Sequence, residues 1–321
     1  MSDLPGRVKI NEEGPREGFQ IEKGPISTER KVEFIEALAE TGVRKIDCVS
    51  FVNPKRVPQM ADAEEVLARI RRKPGVRYTG LWLNLKGLER ALASTADVIG
   101  AIRVTASDTF ARANTGMGRE ETIEEQRRWL ARYREAGVPV EWGYVMTAFG
   151  CNYEGDIPVE LTVRMVARIL ELAAEFDVRL SSVYLADTVG HATPRDIQRV
   201  VGAVRERWPD LTLGLHLHDT RGLAVANAYA ALQLGVAEFD TACAGLGGCP
   251  FAAHSGAAGN LCTEEFVFLC EEMGIETGID LDRLIECAWL AEDIVGHQLP
   301  SKMTRGGSLT ALRRRLAGTA S

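Results

Sequence analysis

Two histidines one residue apart, in the segment His216-Leu217-His218-Asp219-Thr220, are the sharpest chemical signal in this chain. On an extended strand alternate residues face the same side, about 6.6 Å apart along the strand. Two imidazoles so placed can converge on one ion, whereas a lone histidine in a strand more often hydrogen-bonds inside a core. Oxygen donors would have to come from elsewhere in the chain. Glu17, in an early loop, offers a carboxylate, and Asn260, late in the chain, offers an amide carbonyl. One carboxylate, two neutral imidazoles and one amide leave a divalent ion with a net charge of about +1, which suits Mg²⁺ or Mn²⁺ more than a closed structural zinc. Such a site keeps open positions for an anionic, oxygen-rich substrate. Taken singly, Glu17 reads as a surface charge and Asn260 as a helix cap before Thr263, so their claim depends on the histidines.

Arg16, beside Glu17, carries a charge it cannot lose and can hold a carboxylate or a developing enolate with two donors. In isolation an ordinary loop salt bridge explains it equally well. Cys249 follows Gly245, Gly247 and Gly248 in one run. Glycines let a backbone approach a ligand closely and move as a lid, and a thiol there can shuttle a proton. The common fate of a cysteine is a small buried hydrophobe, and that reading is given to Cys48, Cys151, Cys243, Cys262, Cys270 and Cys287. The run lacks the Gly-Lys-Ser/Thr ending of a nucleotide P-loop, and no GxGxxG follows the first strand.

These residues need a scaffold that brings both ends of the chain together. Short apolar runs alternate with helical patterns. Strands are expected near residues 8–11, 45–50, 76–81, 98–104, 138–146, 178–185, 211–218 and 238–242. Helices are expected near residues 30–39, 61–71, 85–94, 123–136, 158–176, 194–208, 223–234 and 263–273. Ser27 reads as the first N-cap, and Gly42 and Gly137 as stops. Strict alternation with buried-type strands implies an α/β fold with a parallel sheet. Eight units over roughly 250 residues match a (β/α)8 TIM barrel, with a doubly wound open sheet as second choice. A single catalytic domain over residues 1–321 is expected, with the barrel at about 8–275 and a helical extension at about 276–321. In such a barrel functional residues sit at the C-terminal strand ends, where Asp47, Ser50, Asp187 and Thr188 also fall.

Composition removes several classes. The 321 residues are 26% charged and 45% hydrophobic, a globular balance, and 45 acids exceed 38 bases. That balance argues against a nucleic-acid binder. No apolar run approaches the roughly 20 residues of a membrane helix, and the first residues hold no secretory stretch. Seven cysteines are too few and scattered for a disulfide scaffold, so a reducing cytoplasm is expected.

Several segments together are more specific: residues 14–20 (GPREGFQ), 50–60 (SFVNPKRVPQM), 84–87 (NLKG), 143–155 (GYVMTAFGCNYEG), 187–190 (DTVG), 216–220 (HLHDT), 244–250 (AGLGGCP) and 259–260 (GN). From about residue 8 to 302 the chain resembles 3-hydroxy-3-methylglutaryl-CoA lyase, of the DRE-TIM metallolyase superfamily that also holds isopropylmalate and homocitrate synthases. The resemblance implies metal ligands at Glu17, His216, His218 and Asn260, a catalytic arginine at Arg16, a loop cysteine at Cys249 and the strand-two acid at Asp47. It also implies active-site surroundings at Gln20, Ser50, Asn84, Trp142, Asp187 and Thr188. The implied reaction is a metal-dependent retro-Claisen cleavage of a 3-hydroxyacyl-CoA, with the base among Cys249, His218 and Asp47. The implied partner is an acyl-CoA, and a homodimer or higher homo-oligomer is the expected assembly. Three departures bear on substrate identity: Glu17 replaces the family's aspartate, Asp47 its glutamate, and Trp142 an arginine usual before the strand-five Gly-Tyr. A lyase for citramalyl-CoA or methylmalyl-CoA, a condensing synthase and a non-catalytic acyl-CoA-binding barrel are the alternatives.

Overall fold

The computed structural model describes residues 4–248 and 259–319. Eight strands form one parallel sheet: β1 Lys9–Glu12, β2 Lys45–Ser50, β3 Arg77–Leu81, β4 Gly100–Thr105, β5 Val140–Met146, β6 Ser182–Asp187, β7 Leu213–Leu217 and β8 Glu238–Thr241. Strands β2, β6, β7 and β8 are buried along their whole length, as expected when helices cover one face and the barrel interior the other. The hydrogen-bonded order is β3-β2-β1-β8-β7-β6-β5-β4. The first and last strands are therefore neighbours, in register from Lys9 opposite Glu238 to Glu12 opposite Thr241. That neighbour relation makes a curled (β/α)8 barrel rather than the open doubly wound sheet. Among the described residues β3 and β4 share no ladder, although Asp97 N–H donates to Tyr78 C=O at 2.8 Å beside that seam.

The helices follow the sequence signals, with ends displaced by a few residues. Helix α1, Thr28–Glu40, starts at Ser27, whose side chain accepts from the Arg30 amide, and buries Phe34, Ile35 and Leu38. Its C-cap is Thr41. Gly42 follows at φ +105°, where a Cβ would meet Gly278 C=O at 2.2 Å. That glycine is required by close approach of the C-terminal segment. The remaining long helices are α2 Ala63–Arg69, α3 Leu85–Leu92, α4 Asp108–Thr115, α5 Arg119–Ala136, α6 Val159–Glu175, α7 Pro194–Arg207, α8 Ala224–Gln233, α9 Thr263–Glu272, α10 Leu281–Val295 and α11 Leu309–Thr319. Helix α4, capped by Ser107, and a small hairpin of Gly150–Cys151 with Gly155–Asp156 were not expected from periodicity. Helix α4 buries only Phe110 and Ala111 and so shows no apolar stripe, and the hairpin strands are two residues each. Strand β6 begins four residues later than its apolar run: Asp177 takes a positive φ, and residues 178–181 precede the first ladder pair, Trp142 with Ser182. Helix α10 packs on α1 and on the turn after β8. No helix among the described residues is long and apolar enough to cross a membrane.

The barrel interior is polar. Asn11 Nδ2 donates to Tyr184 Oη and to Asp240 Oδ1, each at 2.8 Å, and Tyr144 stacks on Tyr184 at 4.9 Å. A polar interior beneath the C-terminal strand ends is the floor on which the site is built.

Candidate functional site

The site begins at the last residue of β1. Glu12 is fully buried and accepts from Gly14 N–H at 2.8 Å, Cys243 N–H at 2.8 Å and Thr263 Oγ1 at 2.7 Å. It thereby fastens three pieces: the helical turn Gly14–Gly18, the end of β8 and the start of α9. Burial pushes its carboxyl up to about 8, against the pull of those donors. Sequence reasoning passed over Glu12. The available signal was an acid on the helix-facing side of a short strand, the side that also carries Val8 and Ile10.

The turn that Glu12 secures carries Arg16 and Glu17 into the mouth. Ligand atoms of Glu17, His216 and His218 lie within 4.8 Å of one another. His218 Nε2 is 3.1 Å from Glu17 Oε1 and 3.0 Å from His216 Nε2. His216 Nδ1 faces Asp240 Oδ2 at 3.2 Å. In the neutral ring a carboxylate there keeps the proton on Nδ1 and leaves Nε2 with a lone pair. Asn260 pairs with His218 across an antiparallel bridge, and its Nδ2 donates to Leu246 C=O at 3.1 Å. Its Oδ1 is buried and accepts nothing among the described residues. An orphaned buried acceptor is rare, and beside converging imidazole and carboxylate lone pairs it fits a divalent cation with oxygen and nitrogen donors. Burial lowers the His216 pKa, but Asp240 and Glu17 outweigh it and raise it to about 9. Burial pushes Glu17 up, while Arg16 and His218 hold its carboxyl well below the usual range. The negative surroundings that favour a proton here also favour a metal ion.

Gly247 explains why the loop after β8 must be glycine-rich. It adopts φ +94°, and a Cβ would lie 2.5 Å from Asn260 Nδ2 and 3.1 Å from Glu17 Cγ. Cys249 lies outside the described residues.

Arg16 faces three carboxylates. Its Nε donates to Asp47 Oδ2 at 2.9 Å, one terminal nitrogen approaches Glu17 Oε2 at 3.0 Å, and the other pairs with Glu13 Oε2. Burial and the neighbouring Glu13 charge push Asp47 above the usual carboxylate range. Burial also pushes Glu13 up, but Lys45 and Arg16 outweigh it and hold Glu13 down. Asp47 Oδ1 additionally accepts from Thr79 Oγ1 at 3.3 Å. Glu13 and Lys45 were not singled out from the sequence, since an isolated loop acid and a strand lysine are usually solvent-facing.

The remaining expected residues divide. Gln20 Oε1 and Ser50 Oγ are buried and unpartnered among the described residues, so both can take a ligand. Asp187 spends its two oxygens on the His191 and Ala192 amides, at 2.7 and 3.1 Å. It shapes the loop after β6 rather than presenting open acceptors. Thr188 Oγ1 accepts from Thr147 N–H at 2.8 Å, a similar local task. Asn84 is exposed and caps α3 through Gly87 N–H at 2.9 Å. Trp142 lies deeper than the mouth, two positions before Tyr144 on β5, with Lys45 Nζ 4.8 Å from its ring centroid.

The family model described as HMGL-like matches residues 7–290. This chain belongs to that family. It is 40% identical to the human mitochondrial hydroxymethylglutaryl-CoA lyase over 306 residues, 95% of this chain and 91% of that protein. The hydroxymethylglutaryl-CoA lyase of Pseudomonas aeruginosa superposes with a TM-score of 0.87 at 36% identity, covering 95% of this chain and 98% of the other. An HMG-CoA lyase from Acinetobacter baumannii, solved with coenzyme A and 3-methylmalate, gives a TM-score of 0.83 at 38% identity, covering 96% of each chain.

The three departures expected from the sequence, at Glu17, Asp47 and Trp142, have different consequences here. Glu17, longer than an aspartate, still brings Oε1 to His218, and the shorter Asp47 still reaches Arg16. These two exchanges leave the contacts intact. Trp142 supplies no charge, but the ammonium of Lys45 sits on its face.

Proposed function

We propose that this chain is a divalent-metal-dependent carbon–carbon lyase that cleaves 3-hydroxy-3-methylglutaryl-CoA, or a close 3-hydroxyacyl-CoA, to acetyl-CoA and a keto acid. The observation that carries this reading is the convergence of Glu17, His216 and His218 ligand atoms within 4.8 Å, with Arg16 3.0 Å from Glu17. Mg²⁺ or Mn²⁺ would be held by Glu17, His216 and His218, with Asn260 Oδ1 as a fourth donor. Such an ion supplies Lewis acidity to the substrate's 3-hydroxyl and lowers its pKa.

The chain's own groups account for the other requirements. Arg16, pinned by Glu13 and Asp47, directs charge-assisted donors toward the thioester oxygen that becomes an enolate as the C2–C3 bond breaks. Asp240 holds His216 in the tautomer that leaves Nε2 unprotonated. Gln20 and Ser50 are unpartnered polar atoms available to the substrate's carboxylate and carbonyl. Asp47, with a raised pKa and direct contact to Arg16, is a proton acceptor suited to near-neutral pH. His218 and Cys249 remain the other candidates for moving the substrate's protons, and Cys249 would protonate the enolate carbon. We further propose that the C-terminal helices belong to the same catalytic domain, supported by the packing of α10 on α1 and on the turn after β8. The six described cysteines are unbridged, which suits a reducing compartment.

The test is a panel of 3-hydroxyacyl-CoA thioesters incubated with Mg²⁺ or Mn²⁺ and read by mass spectrometry. Acetyl-CoA release from the hydroxymethylglutaryl thioester, stopped by chelator, is expected. Cleavage of no thioester in the panel, or turnover indifferent to chelator, overturns the reading.

A further inference from the structure

Beneath the mouth, four charged side chains and one ring form a chain across the barrel interior. Lys45, at the first position of β2, extends its ammonium to 3.5 Å from Glu13 Oε1. The other oxygen of Glu13 pairs with Arg16, whose Nε reaches Asp47 at 2.9 Å. Glu13 is thus a carboxylate shared between two cations. The side chains of Lys45 and Glu13 are only 10% and 5% exposed, so water screens neither. The Trp142 ring from β5 lies under the ammonium at 4.8 Å and seats it by cation–π attraction. The Trp142 ring on β5 thus carries a cation contributed by another strand.

Charge arithmetic gives this arrangement a purpose. Arg16 alone faces Glu13, Glu17 and Asp47. Three carboxylates would cancel the field a guanidinium must present to a developing enolate. Lys45 neutralises one of them from the far side while leaving its second oxygen to position Arg16.

We propose that Lys45, seated on Trp142, is a positioning residue that acts through Glu13 to keep Arg16 oriented and electrically available to the substrate. The inference deepens the lyase reading and rests on it. A buried ion pair loses most when one member is removed, and little when both are replaced by apolar side chains of similar volume. That asymmetry separates positioning by charge from simple packing.

The experiment is a double-mutant cycle of wild type, Lys45→Met, Glu13→Met and Lys45→Met/Glu13→Met, with Lys45→Arg added. Each is read for kcat and KM on the cleaved thioester, for Mn²⁺ affinity and for melting of the metal-free protein. Lys45→Met is expected to lower kcat by about 10- to 100-fold, with KM and Mn²⁺ affinity within about threefold. Lys45→Arg should recover most of the loss, and the double variant should exceed Lys45→Met by at least about fivefold. Wild-type kcat in Lys45→Met, or a double variant no faster than the worse single, overturns the proposal. If Lys45→Met does not fold, the double variant decides: kcat within about tenfold of wild type supports the bridge, and a loss as deep as that of Arg16→Ala overturns it. A wild-type chain that cleaves no thioester defeats the lyase reading instead. The metal-free melts still test the pair by themselves, since strictly additive melting shifts would dissolve the Lys45–Glu13 coupling.

Discussion

Replacing Glu12 tests how the mouth is held together. The carboxyl group accepts from two backbone amides, Gly14 and Cys243, through one oxygen and meets the Thr263 hydroxyl through the other. Glu12→Ala leaves both amides buried without an acceptor, at about 1–3 kcal/mol each, so a loss of about 2–6 kcal/mol is expected. With an unfolding entropy of about 2.1 cal/mol/K per residue, this chain shifts by about 1.5 °C per kcal/mol, and the melting temperature should fall by about 3–9 °C. Glu12→Gln keeps an oxygen for the two amides and should lose far less. The two variants also separate by pH. The folded pKa of Glu12, about 8, lies above its ordinary 4.5, so the folded chain holds a proton that the unfolded chain releases. That contribution is complete below about 4.5 and is lost as pH rises toward 8. The melting advantage of wild type over Glu12→Gln should therefore shrink between pH 5 and 8. The assay is calorimetry of the metal-free proteins at several pH values. A wild-type-like Glu12→Ala, or a pH-independent gap between wild type and Glu12→Gln, would refute the reasoning.

Three further substitutions probe the site itself. Asp240→Asn can present an amide N–H to His216 Nδ1 and favour the wrong tautomer, so Mn²⁺ affinity should weaken by about 10- to 100-fold by calorimetric titration; unchanged affinity would remove Asp240 from that role. Arg16→Ala should lower kcat by about two to four decades in steady-state assays, as for loss of an oxyanion donor or more, and a near-wild-type rate would take Arg16 out of the chemistry. Gly247→Ala places a Cβ 2.5 Å from Asn260 Nδ2 in a positive-φ conformation, so metal binding should weaken at least about tenfold with the barrel's circular dichroism retained; normal binding would show that the loop yields freely.

Much of this molecule was readable beforehand because its signals are local. Alternating apolar runs and helical periodicity gave the eight units, and Ser27 and Gly137 marked real helix ends. The His216-X-His218 spacing carried the candidate metal cluster, since strand geometry alone puts both rings on one side. What escaped notice depends on the closed barrel. Glu12 matters because β1 meets β8, and that neighbour relation brings Cys243 and Thr263 to it. Lys45 and Glu13 become partners only when β2 and the turn after β1 face the same interior. Asp187 and Asn84 are expected around the substrate from the resemblance, and backbone amides occupy their side-chain oxygens in the fold. A motif gives the residue, and the fold decides which of its atoms remain available.

The most direct test of the central claim is titration of chelator-stripped protein with Mn²⁺, wild type against His218→Ala and Glu17→Ala. One ion per wild-type chain is predicted, with each variant weakened by more than the about 10- to 100-fold typical of outer partners and with the barrel's circular dichroism retained. Undiminished Mn²⁺ binding by His218→Ala or Glu17→Ala would contradict the account.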